Sequence, residues 1–344
     1  MDPLLRPIWM GNEVLNESML PVYGRDGTLA PLKLLYDASE ITGVRSATLE
    51  TEYAAGRDYV LEHGCLRIPE GSLIPVMAYD DYYPPQDDGH CFPHSESGYI
   101  RFGEGAYFHL RQISVSYRHE QRWDAEIPPD KSALLPGAIR RLQSGEALRL
   151  LVFGDSICTG CNASGDAGAP PFQKPWFSLM CDGLSDFYGN RRIEFINTSV
   201  GGKTSVWGRE TAVENAAVHH PDLCVIGFGM NDVSGRKPPE IFIENLCAIM
   251  DAVSSVQASS EFILIATSLA NPEVRGFAGL QQAYLEPMLR LEREGVCVAD
   301  MTSLHAALLR HKAFRDMTGN NVNHPNDFLS RVYAQLMLRT LGAV

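Results

Sequence analysis

The sequence predicts an α/β protein in two parts: a β-sandwich of jelly-roll type, then a three-layer α/β/α domain on a parallel sheet. The chain has 344 residues, and at about 150 residues per domain this length suits roughly two domains. Its first third contains short apolar runs between turn residues, and from residue 148 onward apolar runs alternate with helix-like segments. We therefore expect an accessory domain over 1–125, a linker over 126–147 and an α/β domain over 148–344.

The N-terminal third has the pattern of short antiparallel strands. Several short runs are rich in β-branched and aromatic residues: 32–36, 46–53, 58–61, 65–68, 106–110 and 112–117. In the last run, alternation places Ile113, Val115 and Tyr117 on one face, as in a half-buried strand. Many short strands at this spacing are typical of a sandwich or jelly roll.

From residue 148 the pattern changes to strand followed by helix. Apolar runs lie at 148–153, 193–197, 223–228, 261–267 and 296–300. Helix-like segments follow near 176–188, 207–219, 239–256, 279–294, 302–313 and 325–341. Such alternation indicates a parallel sheet covered by helices on both faces. Ligands bind such sheets beyond the carboxyl ends of the strands.

Composition excludes several functional classes. The chain is 45% hydrophobic and 21% charged, as an ordinary globular protein is. A net charge of −13 argues against a nucleic-acid or anionic-membrane partner. The start of the sequence lacks the features of a signal peptide, no stretch is long enough for a membrane span, and the eight cysteines show no framework spacing. These features predict a cytoplasmic protein, with the pair Cys158 and Cys161 packing in a loop, and they leave homo-oligomerisation open.

Four short motifs carry the chemistry, and the residues of interest in the first three fall just past predicted strands. They are Gly154-Asp155-Ser156, Asn197 to Thr204, Gly229 to Asp232, and Asn321 to Asp327. In order they supply a serine hydroxyl, a glycine turn, an asparagine and a histidine. Acyl transfer through a covalent intermediate needs these parts: a nucleophile, a base and hydrogen-bond donors for the oxyanion.

Each motif also has a structural interpretation. Ser156 and Asn231 are residue types that favour helix caps and Asx turns, and the glycine pair could simply close a turn. His324 precedes a proline and an amphipathic run, so it could cap the last helix. The order of the four motifs favours catalysis, with Asp155 and Asp232 in structural roles.

The four motifs together resemble the SGNH, or GDSL-type, hydrolase superfamily over residues 148–344. The resemblance implies that Ser156 is the nucleophile, His324 the general base, and the Gly202 N–H and the Asn231 side chain the oxyanion donors. Gly202 is preferred to Gly201 because the family glycine stands just before a polar residue and a threonine. The resemblance implies no metal and no organic cofactor.

The chain departs from the family pattern at one position. The family usually has an aspartate three residues before the histidine, and this chain has Asn321. Three interpretations remain: a Ser-His dyad oriented by Asn321 or a backbone carbonyl, an acid supplied by Asp316 or Asp327, or a disabled enzyme. We favour the dyad, because the other three motifs are complete.

The resulting functional hypothesis is a serine esterase that removes short acyl groups, with acetyl esters of small molecules or oligosaccharides as the expected substrates. This substrate class follows from the resemblance of the two-domain layout to carbohydrate esterases. The alternatives are a lipase, lysophospholipase or thioesterase on longer chains, and a catalytically silent carbohydrate-binding protein. We expect the loops 159–175 and 84–94 to line the pocket, whereas Trp207 could stack on a sugar or fill the core.

Overall fold

A computed structural model describes residues 2–344. The first part of the chain forms one short helix, α1 (Tyr79–Tyr82), and seven strands: β1 (Glu13–Met19), β2 (Ala38–Ser46), β3 (Val60–Glu62), β4 (Cys65–Arg67), β5 (Cys91–Pro93), β6 (Tyr99–Arg101) and β7 (Ile113–His119). All the pairings between these strands are antiparallel. The prediction of an antiparallel β-region before the α/β domain is therefore confirmed.

Strand β7 is the centre of this region, because β1 and β2 pair with its two edges. Its residues Ile113, Val115 and Tyr117 are completely buried, as the alternation predicts. The strands β3–β4 and β5–β6 form two separate two-stranded sheets. The N-terminal sheets are thus one of three strands and two of two strands.

Several segments with β character do not form strands. Residues 32–36 form irregular chain in which every side chain except Lys33 is buried, and the backbone of Leu32 pairs only with Leu66. Residues 106–110 form turns and the start of a 3₁₀ helix. The apolar side chains in these segments are buried although their backbone does not pair as a strand. A residue pattern alone does not distinguish a buried irregular segment from a strand.

The second part of the chain is a five-stranded parallel sheet with helices on both faces. Its strands are β8 (Leu148–Gly154), β9 (Ile193–Asn197), β10 (Leu223–Gly227), β11 (Glu261–Ala266) and β12 (Val296–Asp300), in the order β12-β11-β10-β8-β9. The helices are α2 (Pro136–Ser144), α3 (Ser156–Thr159), α4 (Trp176–Tyr188), α5 (Ser205–Asn215), α6 (Met230–Ser234), α7 (Pro239–Val256), α8 (Gln281–Leu289), α9 (Met301–Leu308) and α10 (Asp327–Thr340). The predicted strands agree with these bounds within about one residue.

Alternate residues of the strands enter two different cores. Leu150 and Val152 of β8 pack on one face with α4, α9 and α10, whereas Leu151 and Phe153 pack on the other with α5, α7 and α8. This is the predicted three-layer α/β/α architecture. Within residues 2–344, no helix combines the length and the apolar character that a bilayer crossing requires.

The two parts of the chain share one core. Val44 and Tyr117 of the N-terminal sheet belong to the same buried cluster as Phe328 and Leu336 of α10. Twelve of the fourteen residues of α10 are buried. This helix is enclosed because the parallel sheet covers one side of it and the N-terminal region covers the other.

The sheet order gathers the predicted motifs at one edge. Strand β9 lies on one side of β8 and β10 lies on the other, so the order reverses at β8. Ser156, the glycine turn and Asn231 follow the carboxyl ends of β8, β9 and β10. A switch point of this kind is where open parallel sheets place ligand sites.

Candidate active site

Ser156 stands in a tight turn at the end of β8. A Cβ atom on Gly154 would lie 2.3 Å from the Gly227 carbonyl oxygen, so only glycine fits where β8 and β10 end side by side. The Asp155 carboxylate accepts the Ile157 N–H at 3.0 Å and caps the short helix α3. The turn therefore fixes the direction of the Ser156 side chain, which is 7% exposed.

The structure brings His324 to Ser156 across 168 residues of chain. The distance from His324 Nε2 to Ser156 Oγ is 2.9 Å, which is within reach for proton transfer. The Asn320 side-chain oxygen accepts the His324 N–H at 3.0 Å, and the Gly319 N–H donates to the His324 carbonyl at 2.9 Å. Both backbone groups of His324, its N–H and its carbonyl, are thus fixed by hydrogen bonds.

Asn162, in the loop after α3, contacts the other ring nitrogen. Its Oδ1 lies 2.6 Å from His324 Nδ1, and its Nδ2 donates to the Gly105 carbonyl at 3.0 Å. Because the amide nitrogen faces a carbonyl, the amide oxygen faces the ring, and His324 Nδ1 must carry the proton. Nε2 is then left with a lone pair directed at the serine hydroxyl, as a general base requires.

Glu104, from the N-terminal region, is the carboxylate nearest to His324. Its Oε2 lies 3.5 Å from His324 Nδ1, and its side chain is 52% exposed. Its Oε1 accepts a hydrogen bond from Asn320 Nδ2 at 3.3 Å. Burial alone would raise the pKa of the Glu104 carboxyl, but the interactions with His324, Asn320 and Asn162 outweigh it, and the net pKa is lowered. The carboxylate is therefore ionised at neutral pH.

The prediction that Asn321 orients His324 is wrong. Asn321 has a left-handed backbone (φ +67°) that turns its side chain away from the ring. Its Oδ1 accepts hydrogen bonds from the Tyr82 hydroxyl at 3.0 Å and from Asn271 Nδ2 at 3.2 Å, and its Nδ2 donates to the Arg101 carbonyl at 3.0 Å. It joins the N-terminal region to the loop after β11.

The two predicted alternative acids do not reach the ring either. Asp316 accepts the Leu20 N–H at 2.8 Å, and Asp327 accepts the Ser164 N–H at 2.7 Å. Among residues 2–344, Glu104 is the only carboxylate within 4.0 Å of His324. Asn162 and Glu104 therefore occupy the positions predicted for Asn321 and for these acids.

The glycine turn that is predicted to supply an oxyanion donor lies beside Ser156. A Cβ atom on Gly201 would lie 3.7 Å from Ser156 Cβ, so the glycine turn abuts the serine. Gly202 has φ +75°, and its N–H meets no acceptor within the described part of the chain. Asn231 Nδ2 donates to the Lys203 carbonyl at 2.9 Å, which orients the amide and leaves its second hydrogen available. The Gly202 N–H and one hydrogen of Asn231 Nδ2 thus have no acceptor among residues 2–344.

Comparison with known proteins decides the family. The model of the GDSL-like lipase/acylhydrolase family matches residues 152–330, just over half of the chain. The chain belongs to this family. Membership confirms the resemblance to the GDSL-type, or SGNH, superfamily that was found in the sequence. No curated protein sequence matches this chain.

Solved structures similar to this GDSL-type hydrolase include three esterases or hydrolases. A two-domain esterase active on acetylated mannans is 20% identical with a TM-score of 0.49, and the match covers 62% of this chain and 55% of that protein. An acetylxylan esterase from Geobacillus stearothermophilus is 16% identical with a TM-score of 0.48, over 58% of this chain and 96% of its own. An α/β hydrolase from the metagenome of Lake Arreo, Spain, is 19% identical with a TM-score of 0.47, over 58% and 98%. The chain thus spans about half the length of the first of these.

The two aspartates of the GDSL-type motifs have structural contacts. The Asp232 carboxylate accepts the Ser205 N–H at 2.9 Å and the Ser205 hydroxyl at 2.6 Å, and so fixes the start of α5. Asp155 is completely enclosed, and burial raises the pKa of its carboxyl to about 7. Neither carboxylate contacts the His324 ring.

The residues expected to line the pocket of this GDSL-type hydrolase have different roles. Trp207 packs on Phe153 and Phe228 with ring centroids 5.5 Å and 6.3 Å apart, so it fills the core in part. The loop at 159–175 reaches the site itself, because it carries Asn162. The loop at 84–94 instead borders a separate cleft of about 1210 Å³.

Sequence reasoning missed Asn162 and Glu104. Asn162 stands in a loop that was expected near the pocket, but nothing in its local sequence distinguishes its amide from the neighbouring polar groups. Glu104 lies in another part of the fold, 220 residues before His324. Only the packing of the N-terminal region against the turn before the last helix brings Glu104 to the ring.

Proposed function

We propose that the protein hydrolyses short-chain acyl esters, with acetyl groups on carbohydrates as the substrate class. The observation that carries the proposal is the 2.9 Å contact of Ser156 Oγ with His324 Nε2, the ring nitrogen left without a proton by the Asn162 hydrogen bond. A serine held by a base in this state is ready to act as a nucleophile.

The proposed reaction has two halves. In the first, Ser156 Oγ attacks the ester carbonyl as His324 Nε2 takes its proton, and the resulting oxyanion accepts hydrogen bonds from the Gly202 N–H and Asn231 Nδ2. His324 then gives this proton to the leaving alcohol oxygen, and an acyl-serine remains. In the second half, water attacks the acyl-serine with His324 as base, and the acid is released while Ser156 regains its proton.

Polar surroundings favour a small acyl group on a polar substrate. The side chains that contact the ring of the Ser156–His324 pair include Glu104 and Asn162. A long acyl chain would need an extended apolar wall beside the serine, because pockets for such ligands are lined mainly by hydrophobic side chains. An acetyl group needs no such wall.

The large cleft supports a polymeric or oligomeric substrate. Tyrosines 23, 79, 83 and 99 line it together with charged groups, and neither Ser156 nor His324 does. Tyrosine combines a flat apolar ring with a hydroxyl. Such side chains suit a surface that contacts both the apolar faces and the polar edges of a ligand. Tyr99 stands five positions before Glu104, so the cleft wall begins within about 18 Å of Glu104, whose carboxylate lies 3.5 Å from the His324 ring. A sugar chain of sufficient length would therefore occupy both the cleft and the Ser156–His324 site.

The test compares substrates of two acyl-chain lengths, and it compares the wild type with a variant that lacks the nucleophile. We expect the purified protein to hydrolyse p-nitrophenyl acetate with a higher kcat/KM than p-nitrophenyl octanoate. Ser156→Ala should lower kcat at least about a thousandfold, because the nucleophile is lost. Ser255→Ala, an exposed serine on α7, is the matched control and should keep full activity.

The other outcomes separate the alternatives. A preference for octanoate would replace the short-chain proposal by a lipase or thioesterase, and activity equal to that of Ser156→Ala would leave a catalytically silent protein. A panel of acetylated oligosaccharides, assayed for released acetate, tests the carbohydrate part. Hydrolysis of the p-nitrophenyl ester with no release of acetate from any member of the panel would contradict it.

A further inference from the structure

We infer that Glu104, supplied by the N-terminal region, is the carboxylate that stabilises the protonated form of His324 during the reaction. It is a positioning residue, since it acts on the substrate only through His324. The inference rests on the proposed function. It assigns a role in the catalytic site to a region outside the matched GDSL-type segment at 152–330.

The carboxylate is held by the same side chain that holds the histidine. Asn320 Nδ2 donates to Glu104 Oε1 at 3.3 Å, and Asn320 Oδ1 accepts the His324 N–H at 3.0 Å. Glu104 Oε2 is thereby placed 3.5 Å from His324 Nδ1. Ring and carboxylate are thus positioned relative to each other by one amide.

Two residues divide the work that one aspartate does in a Ser-His-Asp triad. In such a triad, the carboxylate both fixes the tautomer of the imidazole and stabilises the imidazolium. Here Asn162 Oδ1 accepts the Nδ1 hydrogen at 2.6 Å and fixes the tautomer, but a neutral amide adds no charge. Glu104 adds the negative charge beside the same nitrogen.

No other ionisable group can take this part among residues 2–344. Asp155 in the nucleophile turn, Cys161 and Asp166 in the loop after α3, and Asp327 at the start of α10 stand on the elements packed around His324. Asp166 accepts the Asn162 N–H at 3.1 Å and Asp327 accepts the Ser164 N–H. None of the three aspartates lies within 4.0 Å of a ring nitrogen, whereas Glu104 Oε2 lies 3.5 Å from Nδ1.

The charge matters at one moment of the reaction. When Ser156 Oγ passes its proton to Nε2, the ring becomes positive and the substrate oxygen negative. Glu104 remains ionised, and its attraction opposes the energetic cost of a positive ring in a site that is largely closed to water. The Nδ1 proton stays on His324 throughout.

Glu104→Gln removes the charge and keeps an oxygen for Asn320 Nδ2, so it separates electrostatics from structure. We expect the plateau of kcat/KM for p-nitrophenyl acetate to fall about tenfold. The acid limb of its pH profile should move about one unit lower, because without the carboxylate the ring holds its proton less tightly. Glu104→Asp keeps the charge and should keep the acid limb near its wild-type position.

Glu120→Gln, an exposed carboxylate of the N-terminal region with the same change of charge, is the control and should leave both quantities unchanged. Thermal unfolding of each variant checks that the fold is intact. An unchanged plateau and acid limb in Glu104→Gln would overturn the inference. Activity that survives in Ser156→Ala would instead refute the proposed function, so the two failures are distinguishable.

Discussion

At the scale of single residues, the orientation of one amide decides the chemistry of the site. Asn162 directs its nitrogen at the Gly105 carbonyl, and this leaves only its oxygen for His324. Asn321, which stands where the family has its acid, is used instead to join two parts of the fold through Tyr82 and Asn271. Residue type alone does not distinguish these two asparagines.

A second histidine gives a prediction at this scale. His305 is completely buried in α9, its Nδ1 accepts the Leu269 N–H at 3.1 Å, and its Nε2 has no partner among the described residues. Burial lowers the pKa of His305 from 6.5 to about 3. The unfolded chain therefore binds a proton between these pH values that the folded chain does not, and stability is lost as the pH falls through this window.

His305→Asn keeps an acceptor for the Leu269 N–H and removes the titration. We expect its free energy of unfolding in urea to fall less steeply than that of the wild type below pH 6.5, by up to about 1.4 kcal/mol per pH unit. Asp155 has a pKa raised to about 7, so its contribution has the opposite slope, but it is common to both proteins. Parallel curves for the two proteins between pH 4 and pH 7 would contradict the prediction.

At the scale of elements, the carboxyl ends of β8, β9 and β10 create the site. The close approach of β8 and β10 at Gly154 and Gly227 fixes the turn that carries Ser156. The glycine turn after β9 and the start of α6 after β10 lie on either side of it. A parallel sheet gathers these groups because all its strands end at the same edge.

Gly154→Ala tests this arrangement. The added Cβ would lie 2.3 Å from the Gly227 oxygen and 2.7 Å from Cys158 Sγ, so the strand ends must separate. We expect a loss of about 1–3 kcal/mol in the free energy of unfolding, together with a fall in kcat/KM as Ser156 moves.

Gly43→Ala is the matched control for Gly154→Ala. Gly43 stands in β2 with nothing within 4 Å of an added Cβ, so this variant should retain stability and activity. Equal unfolding free energies and equal activities for the two variants would show that the contact of β8 with β10 tolerates a side chain.

At the scale of the whole molecule, the N-terminal region and the α/β part depend on each other. Lys312, after α9, forms an ion pair with Glu17 of β1, and both side chains are completely buried. Glu17 also accepts the Tyr117 hydroxyl at 2.6 Å and the Leu35 N–H at 2.9 Å. With the enclosed helix α10, this network predicts that the two parts unfold together.

Glu17→Gln leaves the Lys312 ammonium buried without its counter-charge. We expect a loss of roughly 3–5 kcal/mol in the free energy of unfolding, in one transition seen alike by tryptophan fluorescence and circular dichroism. Glu52→Gln, which breaks an exposed pair with Arg45, should cost less than about 1 kcal/mol. Two separate transitions, of which only the first shifts, would contradict the shared core.

The sequence by itself determined the elements of the α/β part and the motifs that stand at the strand ends. Apolar runs and glycine turns are local signals, so the five parallel strands and the edge that carries Ser156 and Asn231 could be read from them. The shapes of the N-terminal sheets could not be read in this way, because buried irregular segments such as 32–36 have the same composition as strands.

Only the tertiary structure decided which side chains surround His324. Asn162 and Glu104 reach His324 from a loop and from the N-terminal region, and neither carries a local mark of this role. Their positions depend on how two distant segments pack against the turn before α10. Contacts between segments so far apart in sequence depend on the packing of the whole molecule. Local residue patterns do not specify such packing.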